Sequence, residues 1–367
     1  MDYLKGSELI ASIQEFFGVS KMKEKSSTSD KEYVIENKFW YYLFVFSTAL
    51  GDETFYSAFI PFWFWNVDGA VGRRMVLVWA IIMYVGQGIK DILRWPRPGP
   101  PAVRLQHKWS LEYGMPSTHA MVGVSIPFSI ILYTMDRYQY NVPLGVCAAV
   151  VWCTLICISR LYLGMHTVLD IIVGLALAMI LMIPLVPIVD FLDSYLLTNP
   201  ISPLLLLVSS ILVIVYYPNS GKWTPTRGDT SMILGVCVGI HVGAWLNYQT
   251  GLIQPTTKHL AAPYVIMWPS YYMLFRMLLR TIIGFVCVLL TKELFGHLTY
   301  HVLCAALGVD VDDLKKSENT LQNKHKTFVE LSCKYVYCGM IGFNTLYMLP
   351  QLFRALGIER PTFFTEI

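Results

Sequence analysis

Residues 143–189 read PLGVCAAVVWCTLICISRLYLGMHTVLDIIVGLALAMILMIPLVPIV. Two apolar runs, 143–160 and 167–189, meet at a short segment: Ser159 and Arg160 close the first run, His166 stands in the segment between, and Asp170 lies just beyond. Each run is near the length that takes a helix across about 30 Å of hydrocarbon. Strands are disfavoured, because a membrane barrel alternates apolar and polar residues in short segments. The stretch predicts two membrane helices joined by a chemically dense turn.

Working outward, further apolar runs lie near 39–65, 74–93, 118–135, 201–217, 231–247, 270–290 and 335–353. Composition agrees: of 367 residues, 55% are hydrophobic and only 14% charged, against about 25% charged in a soluble domain. The predicted fold is all-α, a polytopic membrane bundle of about nine transmembrane helices. The run at 39–65 carries Asp52 and Glu53 in its middle. It also reads as a hairpin or re-entrant segment. Acids inside an apolar run are functional candidates or members of a polar turn, and both readings stay open. Trp40, Trp63 and Trp65, near span ends, read as interfacial anchors.

The chain divides into a polar N-terminal segment, 1–38, a catalytic membrane core, 39–190, and additional helices with a tail, 191–367. Within the first segment Leu9, Ile10, Ile13, Phe16 and Phe17 recur at helical spacing behind Ser7, a candidate cap. This reads as an interfacial helix or a weakly ordered tail. A net charge of +3 gives no argument for nucleic acid. Cys147, Cys153, Cys157, Cys237 and Cys287 lie inside apolar runs, and no CxxC occurs, so they read as small buried hydrophobes.

Three segments carry the chemistry. The first runs from Lys90 through Arg94 to Arg97-Pro98, the second is Met115-Pro116-Ser117-Thr118-His119, and the third runs from Ser159-Arg160 through His166 to Asp170. Between His119 and Arg160 the chain crosses the membrane twice, so all three segments return to one face. Lys90, Arg97 and Arg160 sit at span ends, where charge is expensive and marks function. Three cations together call for an anion with several oxygens, and phosphate suits an arginine fork. Ser117 can cap the helix that follows, leaving backbone N–H groups as a phosphate seat.

His166 and Asp170 are four apart and share a helix face. A carboxylate on one ring nitrogen fixes the tautomer and leaves the other with a lone pair for nucleophilic attack. His119, on the same face, can protonate the leaving alkoxide. These residues could in principle ligate zinc, but three flanking cations would repel it, so no metal and no cofactor is expected.

Together these segments resemble the three motifs of the type 2 phosphatidic acid phosphatase (PAP2) superfamily, K-x6-R-P, P-S-x-H and S-R-x5-H-x3-D. They are matched by Lys90 with Arg97-Pro98, by Pro116-Ser117 with His119, and by Ser159-Arg160 with His166 and Asp170. The core resemblance covers 75–190; the second motif departs from it in carrying Thr118 where glycine is usual. The segments KDILRWPRP, EYGMPSTHAM, SRLYLGMHTVLD and TPTRGDT are similar to the sphingosine-1-phosphate phosphatase family.

The resemblance implies a multi-pass enzyme of the endoplasmic reticulum membrane with a lumenal site. Its substrate would be a phosphorylated sphingoid base, with no metal. His166 would be the nucleophile, His119 the acid and base, and Asp170 the orienting carboxylate. Lys90, Arg97, Ser117, Thr118 and Arg160 would hold the phosphate.

Three other readings remain open: a lipid phosphotransferase, a sugar-phosphate phosphatase of the glucose-6-phosphatase kind, and a non-enzymatic phosphate-binding transporter or receptor. By crossing parity Arg227 and Asp229 fall on the catalytic face, where they meet the substrate amine or hold their loop. His107 and Lys108 read as solvated. Charge does not settle orientation: Arg73, Arg74 and Arg137 favour a lumenal site, while the lysines of 1–38 and 292–334 oppose it.

Overall fold

A computed structural model describes residues 2–21, 33–106, 109–253, 263–266, 268–320 and 322–366. His107 and Lys108 lie outside the described residues. The N-terminal part holds α1 (Asp2–Lys5), α2 (Ser7–Phe16) and an antiparallel pair, β1 (Val19–Lys21) with β2 (Tyr33–Ile35). Then come α3 (Lys38–Ala49), α4 (Glu53–Asn66), α5 (Gly69–Leu93), α6 (Thr118–Thr134), α7 (Val142–Tyr162) and α8 (Val168–Thr198). The chain continues through α9 (Ser202–Val215), α10 (Thr226–Gln249), α11 (Tyr271–Leu307), α12 (Val311–Lys316), α13 (Lys324–Phe343) and α14 (Leu349–Ala355). A π-turn at Asn344–Met348 joins the last two helices, and β3 (Tyr138–Gln139) pairs with β4 (Tyr264–Val265).

Among the described residues, α5, α7, α8, α10 and α11 are long and apolar enough to cross a membrane, and α6 and α9 are shorter apolar helices. The protein is a multi-pass, all-α membrane protein, as its apolar runs predict.

The run at 39–65 is not one helix. It breaks between Ala49 and Glu53 into α3 and α4. At the break the backbone passes close to the second histidine: a Cβ on Gly51 would stand 2.8 Å from His119 Cδ2, a close approach that glycine suits. Tyr56 Oη donates to the Leu50 carbonyl at 3.1 Å and ties the turn.

Contacts divide the chain into two compact units. The first comprises residues 1–56, 82–128 and 142–183. Its core sets aromatic residues of α3 against the end of α7. Phe44 packs on Tyr162 at 4.8 Å between ring centroids, and Phe17 reaches both Phe44 and Trp40 at 4.9 and 5.1 Å. Trp109, Leu163 and Met165 complete this cluster beside His166.

In the same unit α2 is anchored rather than loose. Gln14 Nε2 donates to the Val103 and Tyr162 carbonyls, and its Oε1 accepts from the Val103 N–H. Ser7 is not the cap predicted for it. Gly6 holds the cap position without a side-chain bond, and Ser7 Oγ accepts instead from the Gly99 N–H at 3.1 Å. Gly164 adopts φ +65°, and a Cβ there would meet the Val103 carbonyl oxygen at 2.2 Å. That glycine lets the chain turn out of α7 toward His166.

The second unit comprises residues 57–81, 129–141 and 184–367. Here α10 and α13 run in parallel at very close approach. Gly235, Gly239 and Gly243, spaced one helical turn apart, face Gly339, Gly342 and Phe343. A Cβ on Gly239 would fall 1.9 Å from the Gly339 carbonyl oxygen. Small residues let backbones touch where lipid supplies no hydrophobic drive between helices.

Trp65 is not the interfacial anchor predicted from its place at a span end. It is 1% exposed, its Nε1 donates to the Thr345 carbonyl, and its ring meets Phe285 and Phe353. A large aromatic ring held between α11 and α14 is core, whatever its position in the run. Arg73 pairs with Asp193, Arg74 with Asp190 and Arg137 with Asp68, all within this unit. All eight cysteines are free thiols; Cys147 is exposed, and the rest are partly or fully buried.

Candidate active site

His166 sits in the turn between α7 and α8, and its side chain is 1% exposed. The turn is fixed from the helix side. Thr167 Oγ1 accepts from the Asp170 N–H at 3.2 Å, and Asp170 Oδ2 accepts from the Thr167 N–H at 2.7 Å. This reciprocal pair is a capping box that starts α8. It also places Asp170 Oδ2 3.7 Å from His166 Nδ1, close for charge but long for a hydrogen bond. Nδ1 and Asp170 Oδ1 are buried and have no hydrogen-bond partner among the described residues.

On the other side of the ring, Arg97 Nη1 lies 3.4 Å from His166 Nε2 and donates to the Met165 carbonyl at 2.8 Å. Arg97 Nε donates to the Glu112 carbonyl. The Glu112 carboxylate then binds two cations. Its Oε2 accepts from Lys90 Nζ at 2.8 Å and lies 3.6 Å from Arg97 Nη2. Lys90 also donates to Thr118 Oγ1 at 3.2 Å. A single buried acid thus holds the two cations of the first motif in fixed relation.

Arg160, at the end of α7, is buried. Its Nη1 donates to Thr48 Oγ1 at 2.7 Å and Gln106 Oε1 at 3.0 Å. Its Nε and Nη2 are buried without partners among the described residues. Unmet donors on a buried guanidinium cost free energy unless an anion satisfies them.

His119 stands in the first turn of α6, which Ser117 caps through an Ala120 N–H···Oγ bond of 3.4 Å. The Ser117 N–H itself is taken by the Asp170 carbonyl at 3.1 Å, so the expected backbone seat loses that donor. His119 Nε2 lies 2.8 Å from Asp52 Oδ1.

Electrostatics follow from this packing. Burial, reinforced by Arg97, Arg160 and Lys90, holds His166 well below the ordinary imidazole value. The ring is therefore neutral, and His119 is near enough for its charge to be felt there as well. Burial alone would raise the Glu112 carboxyl, but Lys90 and Arg97 outweigh it and hold it below the usual carboxylate range.

The first unit therefore brings together Lys90, Arg97, Ser117, Thr118, His119, Arg160, His166 and Asp170, the residues singled out in the sequence. Sequence reasoning missed Glu112. A signal existed: it is the only acid between Trp95 and Ser117, in a loop with several cations. The sequence leaves Asp52 open to two readings, and the structure sets it against His119. Nothing in the sequence points to Thr48 or Gln106. Arg227 bonds the Ile214 carbonyl at 3.1 Å, within the second unit, and so holds its loop. Among the described residues no three His, Cys, Asp or Glu side chains gather as a metal would require.

This arrangement defines a membrane phosphatase of the PAP2 type. The model of the PAP2 superfamily matches residues 72–193. The chain is 39% identical to sphingosine-1-phosphate phosphatase 2 of Mus musculus, over 97% of this chain and 98% of that one. It is 37% identical to sphingosine-1-phosphate phosphatase 1 of Rattus norvegicus, over 87% of this chain and 73% of that one. A dihydrosphingosine 1-phosphate phosphatase of Schizosaccharomyces pombe is 27% identical over 55% of this chain and 51% of its own. No solved structure matches. The chain belongs to the sphingosine-1-phosphate phosphatase family of the PAP2 superfamily and is an enzyme that hydrolyses lipid phosphates.

Proposed function

We propose that the protein hydrolyses sphingosine 1-phosphate and dihydrosphingosine 1-phosphate to the free long-chain base and phosphate, without a metal, through a phosphohistidine on His166. The substrate reading is supported by the names of its relatives. The mechanism is supported above all by Arg97 Nη1 lying 3.4 Å from His166 Nε2. A guanidinium nitrogen only donates, so Nε2 presents its lone pair and the ring proton sits on Nδ1, facing Asp170.

Nε2 attacks phosphorus as the phosphorus–alkoxide bond breaks. Asp170 stabilises the positive imidazole that forms. Lys90, Arg97 and the two unmet donors of Arg160 take up charge on the phosphoryl oxygens. Asp52 occupies His119 Nε2, which leaves Nδ1 to deliver a proton to the departing alkoxide. The same nitrogen then takes a proton from the water that attacks the phosphohistidine, and phosphate leaves. Glu112 keeps Lys90 and Arg97 apart and oriented while the site is empty. The site faces the lumen of the endoplasmic reticulum in this reading.

A panel of phosphorylated lipids, with glucose 6-phosphate included, tests the substrate. Long-chain base phosphates are hydrolysed fastest, and turnover persists in excess EDTA. Transfer of phosphate to a lipid hydroxyl instead of water, or loss of turnover in EDTA, overturns the reading. His166→Ala abolishes turnover, and His119→Ala accumulates an acid-labile phosphoenzyme from an aryl phosphate.

A further inference from the structure

The buried face of α2 carries Ile10 and, one turn on, Gln14, which is only 2% exposed. An amide on the buried stripe of a helix costs free energy unless its hydrogen-bonding groups are met. Those of Gln14 are met by two segments of the active-site unit. Its Nε2 donates to the Val103 carbonyl at 2.7 Å and to the Tyr162 carbonyl at 2.8 Å, and its Oε1 accepts from the Val103 N–H at 2.9 Å. The pattern needs two donors and one acceptor on a single planar group. Glutamine supplies them; glutamate and methionine, of nearly the same length, do not.

The two segments that Gln14 joins are those that carry the reacting groups. Val103 lies in the loop after Arg97, and three residues on, Gln106 Oε1 accepts from Arg160 Nη1 at 3.0 Å. Tyr162 ends α7, four residues before His166. The junction between them is tight. The Leu105 N–H donates to the Leu163 carbonyl at 3.1 Å, and a Cβ on Gly164 would stand 3.1 Å from Gln14 Nε2. Arg97 Nη1 closes the same junction on the far side, through the Met165 carbonyl at 2.8 Å. A shift of the loop against the turn therefore moves Arg97 against His166. Attachment of α2 does not by itself call for this amide, since Ser7 holds Gly99, Ile10 is fully buried, and Phe17 packs on Phe44 and Tyr162.

We propose that Gln14 is a positioning residue for phosphate-ester hydrolysis: its side-chain amide sets the spacing between the loop that follows Arg97 and the turn that bears His166. It acts through the two backbones it joins, and it makes the N-terminal helix a working part of the site. The inference rests on the reading of His166 as the nucleophile and is independent of which lipid phosphate is preferred.

The test measures kcat, KM and thermal unfolding of the full-length chain in detergent, with the lipid phosphate hydrolysed fastest in the panel above. Gln14→Met keeps the size of the side chain and removes its hydrogen bonds. It lowers kcat by about 10- to 100-fold, the scale of loss when a reacting group is misplaced by about 1 Å. KM stays within about twofold, because the loss falls on the transition state. Gln14→Asn, one methylene too short to reach both carbonyls, loses kcat in the same way and serves if Gln14→Met does not fold. Ile10→Val thins the same buried face and lowers the unfolding temperature but leaves the amide tie, so its kcat stays within about twofold of wild type. Unchanged kcat in the Gln14 variants overturns the proposal, and so does a kcat that falls in Ile10→Val in step with unfolding temperature. His166→Ala is measured alongside. Turnover retained there overturns the reading of the nucleophile and this inference with it; turnover lost there but kept in Gln14→Met overturns this inference alone.

Discussion

Asp52 Oδ1 lies 2.8 Å from His119 Nε2, so a carboxylate from the break between two short helices grips the second histidine of the site. The pair parallels His166 with Asp170, but its acid comes from 67 residues away. A carboxylate on one ring nitrogen fixes the tautomer and supports the positive form that gives up a proton at the other.

Asp52→Asn removes that support. kcat/KM for an alkyl phosphate falls by about 100-fold, the lower end of what positioned acid–base catalysis supplies. An aryl phosphate, whose leaving group needs no proton, loses much less. Steady-state kinetics on both substrates check this. Equal losses on the two would assign Asp52 a structural role alone.

His166 is held well below 6.5 by burial and then by Arg97, Arg160 and Lys90. In the proposed mechanism its neutral form is the nucleophile, so activity is retained as pH falls through 6.5 and is lost only well below it. Stability has the same sign. It is complete above 6.5 and declines as pH falls below it, because the unfolded chain binds a proton that the folded one resists. Arg97→Gln removes one of the depressing charges and moves the acid limb of kcat/KM upward toward 6.5. A pH–rate profile of both proteins reads this directly.

Glu112 is the anion that sits between Lys90 and Arg97 before substrate arrives. Glu112→Gln leaves two buried cations facing each other, and the protein unfolds at a lower temperature. The same change makes the proposed phosphate seat more positive. Inhibition by inorganic phosphate tightens by about tenfold, or about 1.4 kcal/mol. Weaker phosphate inhibition together with unchanged unfolding would contradict the bridging role.

Gly239 touches the backbone of α13, with no room for a methyl group. Gly239→Ala costs about 1–3 kcal/mol by forcing the helices apart. Gly99→Ala, at a site with nothing within 4 Å of the added carbon, leaves unfolding unchanged. Thermal unfolding of the two variants in the same detergent compares them.

The proposed topology, counted on the apolar runs of the sequence, expects the segment after α11 on the face that bears the catalytic motifs. Leu321→Thr turns the Asn319-Thr320 pair into a glycosylation acceptor. In microsomes a glycan attaches there and none attaches to an acceptor placed in the turn between α4 and α5. The opposite pattern would move the active site to the cytosolic side.

The apolar runs and the three motifs were legible from the sequence because they obey local rules. A run of apolar residues must become a membrane helix, since the backbone has no other way to satisfy its hydrogen bonds in lipid. Two crossings return the chain to one face by counting alone. Lys90, Arg97, His119, Arg160, His166 and Asp170 could therefore be gathered before any coordinates. Their partners could not. Glu112, Asp52, Thr48 and Gln106 reach the site through burial and loop geometry, and the side chain each meets lies tens of residues away in sequence.

The same limit explains Trp65 and the glycine stripe of α10. A tryptophan at a span end is an anchor or a core residue depending on which helices surround it. Here Phe285 and Phe353 decide. Gly235, Gly239 and Gly243 are loosely informative as a pattern until α13 is seen lying against them. The sequence alone determined membrane helices, the face they share and the chemistry collected there, because hydrophobic length and charge cost act locally. Only the tertiary structure decided which buried acid pairs with which cation or imidazole, because that choice is made by close packing between segments remote along the chain.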